Sequence, residues 1–454
     1  MIIFRLVLAS AALAAVTPEA VAQTAGDIPH ESYALDNGLR VILAPDPLST
    51  AVAVNLWYDV GSRHERPGRS GFAHLFEHLM FEGTDRVPRG RFVELLSEAG
   101  ASLNASITED RTNYFQTLPP ERYNLALWLE ADRMQSLLLT KENFRREVEV
   151  VKEERRTRID NVPYGRSRLA ALYYAPYDST GCFPYAHSVI GSMADLDAAE
   201  IEDVQEFFDT YYAPNNATLA VVGAFEPAEA RALIREYFGD IRGGAQQPAP
   251  TCGEPFRHLP VRETVEDGSA RLPAVFASYG AVAADHPDAS ALSVLGIILG
   301  TGETSRLHQR LVREEQAALS VSAGPSLRRG PGLFTVFAFA NAGVEPGRLE
   351  ALIDEEIEGM KAEGITAAEL ERAINRLRAT AVLGRQTVMG RAEALQWHNH
   401  FLGDPGAIRT GMERIQAVTA EEVRRVANEY LRPANRAVIV TMPGSDPAGG
   451  ERFR

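Results

Sequence analysis

Residues 71–84 read GFAHLFEHLMFEGT, two histidines and a glutamate inside a run otherwise dominated by Leu, Phe, Met and Ala. Burying an unpaired imidazole or carboxylate among apolar groups is unfavourable, so these side chains need water or a compensating partner. His74 and His78 are four apart, and on a helix both rings can reach a common point one turn apart. At about 100° per residue, Glu77 lies roughly 60° from His74 on one side and His78 about 40° on the other. Two neutral imidazoles beside a carboxylate suit a borderline divalent cation such as zinc, with Glu77 as general base for a metal-activated water. The spacing alone arises by chance in roughly three chains per hundred of this composition, so it needs a third ligand and a supporting context.

The segment FRREVEVVKEERRTR (144–158) offers Glu147, Glu149, Glu153 and Glu154. With Val151 as the reference direction, Phe144 and Val148 define an apolar helix face. Glu147 and Glu154 fall within about 60° of that direction, whereas Glu149 and Glu153 point nearly opposite and alternate with Lys152 and Arg156. Helical geometry therefore turns both Glu147 and Glu154 inward, and Glu154 is assigned as the third metal ligand. Glu147 becomes a carboxylate that orients a histidine or the ligand helix. The competing reading pairs an inward glutamate with an arginine such as Arg158.

Strand-like patterns at 33–46, 51–60 and 218–225 alternate with long amphipathic stretches, which predicts a mixed α and β chain. Residues 241–256 are rich in Gly, Pro and Gln without apolar periodicity, and read as a linker. EDVQEFFDTYYAPNNATLAVV (202–222) parallels EEVRRVANEYLRPANRAVIVT (421–441), pairing Val204 with Val423, Tyr211 with Tyr430 and Asn216 with Asn435. Each half thus repeats one domain, with a catalytic domain over 23–240 and a second domain over 257–442. A tail at 443–454 is expected to be mobile.

The first 22 residues carry Arg5, an apolar run from Leu6 to Val16 and the small-x-small site Ala20-Val21-Ala22, which reads as a secretory signal peptide. The expected destination is outside the cytoplasm, most naturally a bacterial periplasm. No stable membrane anchor is expected, since that run falls short of a bilayer span. With 61 acidic against 46 basic residues and a formal charge of -15, nucleic acid is excluded as a partner. Two cysteines, Cys182 and Cys252, could pair in an oxidising compartment, and sequence leaves that open. WHNH (397–400) lacks the context of a nuclease motif and reads as packing histidines.

HLFEH, with Glu154 lying 76 positions beyond its second histidine and Glu147 just before that, resembles the inverted zinc motif of the pitrilysin family. This family includes insulin-degrading enzyme and mitochondrial processing peptidase. NGLRVIL (37–43), AGASLNASITEDRTNYFQTLP (99–119) and YYAPNNATLAVVG (211–223) extend the likeness over nearly the whole chain after the leader. The resemblance implies an α+β fold of two homologous domains, each a mixed sheet with helices packed on it, closing like a clam shell on a peptide. It implies one zinc ion per chain and a zinc metalloendopeptidase, with Asn104 and Ala105 matching the edge strand that holds an extended substrate. The segment ASALSVLGIILGTG (289–302) lacks HxxEH, so the second half should bind no zinc. Single-chain members carry an Arg and a Tyr seven apart in that half; here LVREEQAAL (311–319) puts Val312 and Leu319 there. A paralogous partner subunit carrying the Arg/Tyr pair is therefore expected. A non-catalytic scaffold of the same fold is the alternative, and the intact His74, Glu77, His78 and Glu154 argue against it.

Overall fold

The run at 33–46 divides into two strands because Asp36, Asn37 and Gly38 turn the chain back on itself. Gly38 takes φ +90°, and a Cβ there would fall 2.7 Å from the Asn215 Cβ, so both backbone and space require glycine. In the computed structural model, residues 27–256 and 259–444 are described. The expected signal peptide, and the tail from 445 onward, lie outside them. Strands β1 (Glu31–Ala34), β2 (Arg40–Pro45), β3 (Val52–Tyr58), β4 (Ser102–Ile107), β5 (Thr112–Leu118) and β6 (Ala217–Gly223) form one sheet in the order β1-β2-β6-β3-β5-β4. Strands β7 (Val261–Asp267), β8 (Ala274–Gly280), β9 (Ala318–Ser326), β10 (Leu333–Ala340) and β11 (Arg436–Pro443) form a second, ordered β7-β11-β8-β10-β9.

The sheets are mixed in the same way. β2 runs parallel to β6 and β7 parallel to β11, while the remaining neighbours are antiparallel. With β1 set aside, the strand orders correspond one for one, so the two halves are homologous. The repeated motif supplies each sheet's inner strand. Helices Ile201–Tyr211 and Ala420–Tyr430 each lead through a Pro-containing turn into β6 or β11. Asn216 Nδ2 donates to the Tyr211 carbonyl at 2.9 Å, and Asn435 Nδ2 to the Tyr430 carbonyl at 2.9 Å. This explains why the turn keeps an asparagine in both copies: its amide satisfies a carbonyl left open at the helix end.

Each sheet packs one face on its own helices and the other on a helix lent by the opposite half. On the first sheet, Ile42, Ala53, Ala220 and Val222 meet Val388, Ala392 and Leu395 of the helix Val388–Leu402. On the second, Val265, Phe276 and Ile439 meet Ala170, Ala171 and Ala175. Removing both faces of a sheet from water in this way binds the halves into one folding unit. Cys182 and Cys252 form a disulfide with Cα atoms 4.3 Å apart, which ties the irregular segment between the halves back to the first. Among the described residues, no helix is long and apolar enough to cross a membrane.

Candidate metal centre

The helix Phe72–Leu79 starts at Gly71, which takes φ +88°, and buries Leu75, Phe76 and Leu79 in the first core. That leaves His74 and His78 on the side facing the helix Lys141–Arg155, with Glu77 near enough to feel the charge of Glu154. The second helix is started by Thr140, whose hydroxyl accepts from the Asn143 N–H at 3.1 Å. It buries Phe144, Val148 and Val151. Glu147 is 7% exposed and Glu154 half-buried, while Glu149 and Glu153 face water beside Lys152 and Arg156.

His74 Nε2 lies 3.6 Å and His78 Nε2 3.3 Å from the same Glu154 oxygen, Oε2. One ligand atom from each of these three residues falls within 4.8 Å of the others, and no other such His, Cys, Asp and Glu cluster occurs among the described residues. The opposite nitrogen of His78, Nδ1, faces Glu147 Oε2 at 3.4 Å. The other Glu154 oxygen meets Arg158 Nη1 at 2.6 Å, so the arginine pairing and the histidine cluster share one carboxylate.

The electrostatics match that geometry. Burial, then the neighbouring His78, push the His74 imidazole down to about 4. Burial would lower His78 as well, but hydrogen bonding to Glu147 and Glu154 outweighs it and lifts this ring to about 9. The hydrogen bond to His78 holds the Glu154 carboxyl below its ordinary value. Burial pushes Glu77 up to about 7 against the pull of His78. His74 Nδ1 is buried without a hydrogen-bond partner. Two imidazole nitrogens converging on one carboxylate oxygen are a donor set that fits zinc, with His78 anchored through its far nitrogen.

Asn104 and Ala105 sit on β4, the edge strand of the first sheet, with Asn104 exposed and Ala105 half-buried. In the second half, Val312 lies on the helical turn His308–Glu314 and packs toward the core, and Leu319 lies on β9 with 56% of its surface exposed. Neighbouring Arg313 pairs with Glu303 at 3.0 Å and Arg310 with Glu315 at 3.0 Å.

Sequence reasoning missed three residues around the centre. Arg155 is 2% exposed and donates to the Gly191 carbonyl; its position one turn beyond Val151 was a usable signal for an inward side chain. Glu65 and His187 form a buried pair at the start of the Phe72–Leu79 helix, and no local spacing connects them.

Residues 40–174 match the family model described as Insulinase (Peptidase family M16), and residues 198–377 the one described as Peptidase M16 inactive domain. The chain is 30% identical over 421 residues to zinc protease PqqE of Helicobacter pylori, covering 91% of this chain and 93% of that protein. It is 27% identical over 440 residues to a probable mitochondrial-processing peptidase subunit beta of Arabidopsis thaliana, covering 92% of this chain and 80% of that one. The crystal structure of a protease from Helicobacter pylori superposes with a TM-score of 0.85 at 28% identity, covering 92% of this chain and 100% of that one. At this coverage and identity, the chain belongs to peptidase family M16, the insulinase family.

Proposed function

We propose that this chain is a zinc-dependent endopeptidase that hydrolyses peptides or small unfolded proteins held as an extended strand, in concert with a paralogous partner subunit. The observation that carries the reading is the convergence of His74, His78 and Glu154, with Glu77 on the same helix face. His74 and His78 would hold the ion through Nε2 and Glu154 through a carboxylate oxygen. Bound there, zinc would supply Lewis acidity toward the attacking water and the scissile carbonyl. Glu77 takes the proton of that water on a carboxylate oxygen and returns it to the leaving amine. Burial raises the Glu77 carboxyl above its ordinary value, which favours it as a carrier of that proton. Glu147 holds His78 by Nδ1, so that Nε2 remains for the metal.

The substrate is bound by strand addition to β4 at Asn104 and Ala105, which makes affinity a main-chain property with weak side-chain selection. The partner supplies the Arg/Tyr pair missing at Val312 and Leu319, where Arg310 and Arg313 are already committed to neighbouring carboxylates. The leader-like residues 1–22 and the Cys182–Cys252 bridge favour an oxidising compartment such as the periplasm. The test is Glu77→Gln, assayed on a quenched peptide with and without the paralogue. Zinc content should stay at one per chain while turnover falls by about 10²- to 10⁴-fold. Retained turnover overturns the mechanism.

A further inference from the structure

The start of the His74–His78 helix rests on a side-chain pair that the mechanism does not use. Glu65 Oε2 accepts from the Gly71 N–H at 2.9 Å and Oε1 from the Ala73 N–H at 2.7 Å, satisfying two of the donors that any helix start leaves open. His187 Nε2 lies 2.9 Å from the same Oε2 and 2.9 Å from the Ser62 carbonyl, and its Nδ1 lies 2.8 Å from the Phe183 carbonyl. A carbonyl only accepts, so both ring nitrogens of His187 must donate, which makes the ring an imidazolium. The Glu65 oxygens face the Gly71 and Ala73 N–H groups and His187 Nε2, all donors, which fits an ionised carboxylate. The pair is shut off from water, with side-chain exposures of 6% and 0%. A negative charge at this point also complements the positive end of the helix.

The chain that follows His187 reaches the other ligand-bearing helix. Arg155, next to Glu154, donates to the Gly191 carbonyl. Ser70 donates its N–H to Asp195 at 2.9 Å and its hydroxyl at 2.5 Å. Gly71 and Gly191 touch backbone to backbone: a Cβ on Gly191 would fall 2.5 Å from the Gly71 Cα. One segment, residues 187–195, therefore holds the helix that carries His74 and His78 and also the end of the helix that carries Glu154.

We propose that Glu65 and His187 are positioning residues for hydrolysis: as a buried carboxylate–imidazolium pair they hold the start of the His74–His78 helix against the 187–195 segment, and so set the distance between the two histidines and Glu154. Burial alone would lower the His187 ring, and the Glu65 carboxylate outweighs it and raises it, in keeping with this geometry. The inference rests on the peptidase reading above, and its test separates the two. Glu65→Gln, His187→Gln and the double variant are made in the full chain, loaded with cobalt(II) in place of zinc, and assayed, like the wild type, together with the paralogous subunit. Each single variant should lower kcat by about 10- to 100-fold, with KM within about threefold, and change the visible absorption of the cobalt centre. Deuterium uptake over residues 66–80 should accelerate. The double variant, which leaves neither charge unpaired, should be no worse than either single one, and it decides the matter if a single variant does not fold. A lower Tm with unchanged kcat, cobalt spectrum and deuterium uptake overturns the inference. A wild-type chain that takes up no metal and cuts nothing overturns the peptidase reading instead, and the deuterium uptake then still decides whether the pair holds the helix.

Discussion

Replacing Glu393 by alanine tests whether the two halves stand or fall together. Glu393 lies on the helix that the second half lays across the first sheet, and its Oε1 accepts from Asn55 Nδ2 at 2.8 Å and from Asn113 Nδ2 at 2.9 Å. Both asparagines are fully buried. Without the glutamate, the Asn55 amide loses its acceptor, while Asn113 keeps a longer bond of 3.3 Å to Asn55 Oδ1. One buried donor orphaned costs about 1–3 kcal/mol, and weakening the second brings the total to about 2–4 kcal/mol. A chain of this size melting as one unit has an unfolding entropy of about 0.9 kcal/mol per kelvin, so about 3 kcal/mol lowers Tm by about 3 °C. If the first half melted alone, its entropy would be about half as large and the shift about 7 °C. Scanning calorimetry separates these outcomes, and a single endotherm moved by the smaller amount is expected. Glu393→Gln keeps an acceptor and should lose about 1 kcal/mol, mainly through the charge it withdraws from nearby Arg111. An unchanged Tm for the alanine variant would show that Glu393 does not hold the seam, and two endotherms of which only the first moves would show that the halves melt separately.

Two further outcomes are expected. Glu147→Ala should weaken zinc binding by about 10- to 100-fold in a chelator competition, because His78 Nδ1 loses its anchor, while Glu149→Ala on the solvent side leaves affinity unchanged; equal effects would remove Glu147 from the site. Stability should fall in acid partly through His400, which burial holds down to about 3. A depressed pKa contributes stability that is complete above the unfolded value near 6.5 and is lost as pH falls toward 3, at up to about 1.4 kcal/mol per pH unit. Glu77, lifted to about 7, titrates in the opposite sense between pH 4.5 and 7, so the useful quantity is the difference between wild type and His400→Phe. Denaturant titrations at pH 7, 6 and 5 should show the variant's slope shallower by about one proton, and parallel slopes would exclude His400.

What was legible in the sequence was what depends on short spacing. The i, i+4 histidines and the inward phase of Glu147 and Glu154 follow from helical periodicity, because a helix turns a sequence interval into a direction. The repeat was legible because one turn solves the same hydrogen-bonding problem in both halves, through Asn216 and Asn435. The exchange of covering helices was not legible. Val388, Ala392 and Leu395 read as an ordinary apolar stripe, and nothing local distinguishes a partner sheet in the other half of the chain from the nearest one. His187 was silent for the same reason: its partner lies 122 residues earlier, and a lone histidine after a Phe-Pro-Tyr turn carries no period.

Among the described residues of the second half no His, Cys, Asp and Glu cluster like that of the first occurs, and packing there differs as well as composition. Its helix Ala289–Gly300 follows β8 as Phe72–Leu79 follows β3, and the two occupy corresponding places in the repeat. It meets the edge strand β9 through Gly296 and Gly300. A Cβ on Gly300 would fall 2.1 Å from the Ala323 nitrogen, and one on Gly296 2.8 Å from the Gly324 Cα. No imidazole can enter that seam unless the helix and strand separate by more than the width of a methyl group. The close approach brings backbone against backbone and favours a tightly packed core. It also leaves no room for a ligand side chain between them. In the first half, the side of the helix turned toward Lys141–Arg155 carries His74 and His78, whose burial is compensated by Glu147 and Glu154. The first half thus has a polar seam between two helices, and the second a glycine-closed seam between its helix and the edge strand. A histidine placed at Gly296 or Gly300 would therefore cost core packing before it could contribute to a metal site.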